Sequence, residues 1–317
     1  PATSGTDAVS AAPSVRRGPT KTTPAADTTK PASGDNSGST TVPSKPDDNK
    51  PSAVETNPKK IIVSAEKEWI FTKKPTDSCH ASTVLPLDNG TVVAAWFAGS
   101  SESDDDVKIL TSVRGTDGKW GEPIRVSADP NVAHWNPVLF QNDDGTITLY
   151  FKVGKDTEYW KTYYSVSTDG KNWAAPRELV PGDNSGGRGP VKNKPIRLKD
   201  GTILAPGSTE LGGKYRCFVD ISTDNGKTWD EARVIYRGTT WEPSAVQLAS
   251  GEIHVYFTSA DPNKGDSGTA LLRSTDNGAT WTHVGKVIRE NAGTATDDSG
   301  DPIYTDQMPV PIQLNGS

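Results

Sequence analysis

Two of the chain's four histidines open apolar, alternating stretches: His80 in CHASTVL and His134 in HWNPVLF. Imidazole exchanges protons near neutral pH with little tuning. A single histidine at a strand start reads most plainly as a satisfied structural group, whereas two at equivalent ends of neighbouring units suit a joint role in proton transfer. A glutamate opens a further stretch, Glu242 in WEPSAVQL. Held between Trp241 and Pro243 it is placed for partial burial, which raises a carboxyl pKa and fits it for proton exchange. The run GSSESDDD carries Asp104 and Asp105 and is either a solvated acidic loop or a cation site. Arg188, Lys192 and Lys194 cluster in GRGPVKNKPIRL, either as a solvated loop or as a recognition site for an anionic sugar. Trp135 and Trp241 can stack on a sugar face or simply pack. Asn136, Lys152, Glu210 and Gln307 complete the polar candidates for substrate contact.

What could bring such scattered residues together is a repeat. An Asp/Gly/Trp phrase recurs as RGTDGKW, STDGKNW, STDNGKTW and STDNGATW, with its Asp at 117, 169, 224 and 276. Near-constant spacing of this length marks stacked copies of one supersecondary unit. Each copy also holds a tight Gly turn, at Gly90, Gly145, Gly201 and Gly251, between β-branched runs, which is a hairpin signal. The unit reads as a four-stranded meander: strand A, tight turn, strand B, loop, strand C, the Asp-bearing turn, strand D. One such sheet cannot cover its own faces, and copies arranged radially can, so the expected fold is all-β, a β-propeller of four-stranded antiparallel blades. A linear solenoid is the rival arrangement. Complete units span about 78–128, 132–181, 187–238 and 240–289, and a fifth opens at Gln307 and stops at Ser317. An open propeller exposes strand edges, so the sequence is expected to be cut short after the fourth blade. Connectivity puts the starts of the A strands and the B–C loops at one end. The Asp-bearing turns lie at the other end, where the Asp caps its own turn and the Trp packs between sheets.

Composition sets the limits. Residues 1–58 are rich in Pro, Thr, Ser and Ala and carry almost no large apolar side chains, so they read as a disordered linker. Residues 59–317 suffice for one large β domain, and a further piece is expected ahead of the linker. The net charge of −6 and the lack of a basic stripe argue against a nucleic-acid partner, and no apolar run reaches membrane-spanning length. Cys79 and Cys217 fall in different units and read as two buried thiols rather than a disulfide.

The Asp/Gly/Trp phrases resemble the Asp-box, or bacterial neuraminidase repeat, of the sialidase superfamily, over about residues 78–317. The resemblance implies a six-bladed propeller with no catalytic metal or cofactor. Where the family carries the first arginine of its carboxylate clamp, this chain has His80; where the second follows strand B of the fourth blade, it reads VYFTSAD. The acidic loop GSSESDDD corresponds to the one bearing the general acid/base, which points to Asp104 or Asp105. HWNPVLF is similar to the family's Asn-Pro phrase, and Glu242 fits the glutamate that activates a tyrosine nucleophile. That tyrosine and the third arginine would follow Ser317.

Three functions fit these residues. The first is a secreted or cell-surface, monomeric, exo-acting glycoside hydrolase on a terminal, acidic sugar. In it, Asp104 or Asp105 donates a proton and Glu242 acts through a tyrosine or directly as base. The second is a polysaccharide lyase in which Arg188, Lys192 or Lys194 neutralises a uronate and His80 or His134 abstracts the proton. The third is a non-catalytic glycan-binding propeller.

Overall fold

A computed structural model of the chain describes residues 67–229, 232–259 and 268–288, all within one unit spanning 66–317. The expected linker over 1–58 and the start of a fifth unit at Gln307 lie outside the described residues. Among the described residues, sixteen strands form four separate four-stranded antiparallel sheets, each a meander in chain order. Blade one holds β1 (Ser78–Pro86), β2 (Val92–Gly99), β3 (Lys108–Arg114) and β4 (Ile124–Val126). Blade two holds β5 (His134–Gln141), β6 (Ile147–Val153), β7 (Lys161–Ser167) and β8 (Arg177–Glu178). Blade three holds β9 (Ile196–Arg197), β10 (Ile203–Thr209), β11 (Arg216–Ser222) and β12 (Arg233–Arg237). Blade four holds β13 (Thr240–Gln247), β14 (Ile253–Ser259), β15 (Gly268–Ser274) and β16 (Thr282–Ile288). The arrangement is that of a propeller, as the repeat implied.

The cores lie between successive blades. Val93, Ala95 and Phe97 on one face of β2 pack against Leu139, Leu149 and Phe151 of blade two. Val138 and Tyr150 meet Ile203, Ala205 and Trp229 of blade three. Leu204 and Val219 meet Ala245, Val255 and Phe257 of blade four. Period-2 alternation thus gives each blade one set of side chains for each neighbour.

The Asp-bearing turns lock these interfaces. In blade two the Ser167 hydroxyl donates to Asp169 (3.0 Å) and accepts from the Gly170 N–H (2.9 Å). Asp169 also accepts the N–H groups of Lys171 and Asn172, each at 2.8 Å. The same pattern recurs around Ser222 and Asp224 and around Ser274 and Asp276. Gly170, at φ +70°, presses into blade one so closely that a Cβ would lie 2.7 Å from a Val93 methyl. The Trp173 indole then donates to Thr111 of blade one at 3.1 Å.

Both cysteines are free thiols. Cys217 is buried, but Cys79 is exposed, contrary to the expectation of two buried thiols. It pairs with Ala98, on the face of blade one turned away from blade two.

Hydrogen bonds from the Asn172 and Lys171 N–H groups, with the Asn172 side-chain amide, hold the Asp169 carboxyl well below the usual carboxylate range. Such a group stabilises the fold above its unfolded pKa, and the contribution is lost as pH falls through the lower folded value. Asp169→Ala is expected to lower the melting temperature at pH 7 and to show a smaller deficit at pH 3, as measured by circular dichroism.

Candidate functional site

Strands β1, β5 and β13 share an irregularity near their starts. Pairing with the neighbouring B strand slips between His80 and Thr83, between Trp135 and Val138, and between Trp241 and Ser244. Within each slip one non-glycine residue takes a left-handed backbone: Ala81 (φ +51°), Asn136 (φ +43°) and Glu242 (φ +46°). Bulges re-aim side chains, and a non-glycine residue held there carries strain of about 1–3 kcal/mol that the surroundings must over-determine. At Glu242 the restraints are visible. Its N–H donates to the Ser208 hydroxyl (3.2 Å), and Asn193 Nδ2 of the blade-three lead-in donates to its carbonyl (2.8 Å).

These bulges surround a cavity of 210 Å³ at the end where the A strands begin. Its wall includes His80, Trp135, Val191 and Trp241, with Asn136, Lys192 and Glu242 one residue further along. The loops after strands B add Glu102 from blade one, Thr157 and Trp160 from blade two, and Glu210 from blade three, and the end of β10 adds Ser208. Trp135 and Trp160 meet edge to face at 6.0 Å, and their indoles donate to the carbonyls of Gly154 (2.8 Å) and Gly186 (2.9 Å). At Gly154 the backbone of the loop closes so tightly that a Cβ would lie 2.5 Å from Trp160 Cα.

The electrostatics centre on Glu242. Burial raises its pKa, Lys192 and His80 pull it down, and Glu210 and Glu102 push it up again. Lys192 Nζ lies 4.0 Å from Glu242 Oε2, and that oxygen is buried without a hydrogen-bond partner among the described residues. Burial also raises the pKa of Glu210, opposed by a 3.0 Å hydrogen bond from the Thr157 hydroxyl.

Of the residues singled out from sequence, the cavity gathers His80, Trp135, Asn136, Lys192, Glu210, Trp241 and Glu242. It does not gather Asp104 or Asp105. Asp104 accepts from the Ser100 hydroxyl at 2.8 Å within its own loop, while the Asp105 carbonyl accepts from Lys108. From the same loop it is Glu102 that lines the cavity. His134 is fully buried: its Nε2 accepts the Ala128 N–H (2.9 Å) and its Nδ1 is 2.8 Å from the Val132 carbonyl. With both ring nitrogens engaged it has no free position for a substrate proton. Lys152 is buried between blades and donates to Thr162 (2.6 Å) and to the Arg188 carbonyl (3.0 Å). Burial brings its ammonium down to about 7. Lys194 donates to the Leu139 carbonyl, and burial brings it down to about 8. Arg188 pairs with buried Asp220 through two hydrogen bonds of 2.7 and 2.8 Å. Gln307 lies outside the described residues.

Sequence reasoning passed over Glu102, Thr157, Trp160, Val191 and Ser208. One signal was available for Val191. His80, Trp135, Val191 and Trp241 each stand ten residues before the turn glycine of their unit, and Asn136, Lys192 and Glu242 nine before it. Counting from the turn therefore recovers the inner ring of the cavity. The B–C loops differ in length and offer no such ruler.

Burial holds the His134 imidazole down to about 4, and nearby Lys108 adds to the effect. A histidine depressed in the fold contributes stability that is fully present above its unfolded pKa, near 6.5, and lost as pH falls toward 4. At about 1.4 kcal/mol per pH unit this amounts to roughly 3 kcal/mol. An NMR titration is expected to show the His134 ring neutral at pH 5, and chemical denaturation to show stability declining from pH 6.5 to 4.

The family model for the BNR repeat-like domain matches residues 90–299. No curated protein sequence matches the chain. Among solved structures, a protein of unknown function from Dyadobacter fermentans is similar at 20% identity and a TM-score of 0.51, over 64% of this chain and 67% of that one. A Hadza microbial sialidase is similar at 16% identity and a TM-score of 0.55, over 67% of this chain and 47% of its own. The NanB sialidase of Streptococcus pneumoniae, in its K499G form, is similar at 15% identity and a TM-score of 0.54, over 75% and 56%. The chain thus spans about half the length of these two sialidases. With a family match over residues 90–299 and four four-stranded blades, the chain belongs to the BNR repeat-like domain family and shares the β-propeller fold of these sialidases.

Proposed function

We propose that the chain carries the sugar site of an exo-acting glycoside hydrolase, with Glu242 as its general acid and Glu102 as the partner carboxylate. The observation that carries this reading is Glu242 itself. It is held at φ +46° on the wall of the cavity, its pKa is raised by burial, and its buried Oε2 has no hydrogen bond to another described residue. A carboxyl whose pKa is raised by burial is suited to deliver a proton to a departing glycosidic oxygen. Glu102, on an exposed loop, is available to assist water or a nucleophile. Trp241 presents apolar surface for the C–H face of one sugar ring, and the buried Trp135 and Trp160 complete the cavity wall. Asn136, Thr157 and Ser208 supply hydrogen bonds to its hydroxyls.

The lyase alternative asks for cations around a uronate and a free imidazole. Arg188, Lys152, Lys194 and His134 are each engaged inside the protein, and of the groups named for that role Lys192 and His80 line the cavity. A non-catalytic binding propeller would use the same walls. A secreted or cell-surface, monomeric protein remains part of the proposal, because terminal sugars of glycoconjugates are met there. Among the described residues no helix is long and apolar enough to cross a membrane.

Glu242→Gln is expected to lower kcat on an alkyl glycoside by about 10²–10⁴-fold. It should lower kcat far less on a dinitrophenyl glycoside, whose leaving group needs no proton, and it should remove the alkaline limb of the pH profile. Equal losses on both substrates would assign Glu242 another role. A carboxyl with a raised pKa contributes stability below its unfolded pKa, and that contribution is lost as pH rises through the folded value. The same variant is therefore expected to melt higher than the parent at pH 7, with the gain shrinking toward pH 4.

A further inference from the structure

Three carboxylates, Glu102, Glu210 and Glu242, and two basic groups, Lys192 and His80, line the same 210 Å³ cavity. Of the two, Lys192 lies within ion-pair distance of Glu242, 4.0 Å from its Oε2. Selective capture of a carboxylate calls for a guanidinium fork or several converging donors. Arg188, the arginine that the sequence places beside this site, turns both of its donors to Asp220. Lys152 and Lys194 spend theirs on Thr162, Arg188 and Leu139. The described lining is therefore rich in acceptors and poor in unspent cationic donors. Sugar hydroxyls donate to such a lining, and a sugar carboxylate is repelled by it.

We propose that this cavity selects an uncharged glycosyl ring and rejects sugar acids by charge. The selection rests on the reading that the cavity is the sugar site, and it replaces the acidic sugar expected from the sequence. Trp241 holds the C–H face, the glutamates accept hydroxyl protons, and Glu210 and Glu102 supply the repulsion. Because the repulsion is Coulombic, it weakens with salt, which a steric block would not do.

The test is binding of the full chain to an array of neutral and acidic glycans, followed by calorimetry with matched pairs: methyl glucoside against methyl glucuronide, methyl galactoside against methyl galacturonide, and N-acetylneuraminic acid alongside. The neutral member of each pair is expected to bind at least about tenfold tighter at low ionic strength. High salt, or Glu102→Gln on its exposed loop, is expected to narrow that ratio by about threefold or more. Neutral binding without turnover supports the selection and removes the hydrolase reading. Turnover with equal or tighter binding of the acids overturns the selection and leaves the hydrolase reading standing. A ratio unmoved by salt and by Glu102→Gln overturns the charge argument, and failure to bind any sugar overturns both.

Discussion

A four-stranded meander has two faces and can bury neither alone. That constraint organises this molecule. Each blade offers one set of alternating side chains to the blade before it and another to the blade after it. The Asp-bearing turns serve the same end. Gly170 fits into blade one only because it lacks a Cβ, and the Trp173 indole reaches across to Thr111. The phrase that announces the repeat is thus an interface device at the end of the blades away from the cavity. Its chemistry is turn capping, with Asp169 saturated by donors from its own loop.

At the opposite end the same packing makes strain tolerable. A β-bulge with a left-handed Asn136 or Glu242 followed by proline costs backbone energy. Rigid neighbouring blades hold it, as when Asn193 and Ser208 of blade three clasp the Glu242 backbone from both sides. The strain has a geometric product. Two consecutive side chains at the head of strands β5 and β13 turn toward the cavity, where simple alternation would send one of them away. Trp135 with Asn136, and Trp241 with Glu242, line it together for that reason.

The fold was legible because its signals are local and repeated. Turn glycines, Asp-box phrases and alternation all recur at one period, and each has a mechanism that a single sequence shows. The site was legible where it shares that period, as with Trp135, Asn136, Trp241 and Glu242. Reading failed where the outcome depended on how a loop folds back. In GSSESDDD the three aspartates drew attention, yet Ser100 ties Asp104 and Asp106 into the loop itself and leaves Glu102 to face the cavity. It failed again where a charged side chain had two possible directions. Nothing in GRGPVKNKPIRL shows that Arg188 and Lys194 point into blade interfaces while Lys192 does not.

The fate of those cations bears on the chemistry of the whole site. Burying Asp220 is costly unless a well-formed partner comes with it, and Arg188 supplies two hydrogen bonds while the Gly189 N–H adds a third at 3.0 Å. Lys152, fully buried, caps the Arg188 carbonyl from the blade-two side. Together they fasten the glycine-rich lead-in of blade three, and it is this lead-in that delivers Val191 and Lys192 to the cavity. Removing one partner of such a set would leave a buried charge exposed to no compensation, so these groups cannot also turn outward to meet a ligand. Three of the cations near the site, Arg188, Lys152 and Lys194, are thus committed to the scaffold, and the cavity keeps Lys192 and His80 beside its three glutamates.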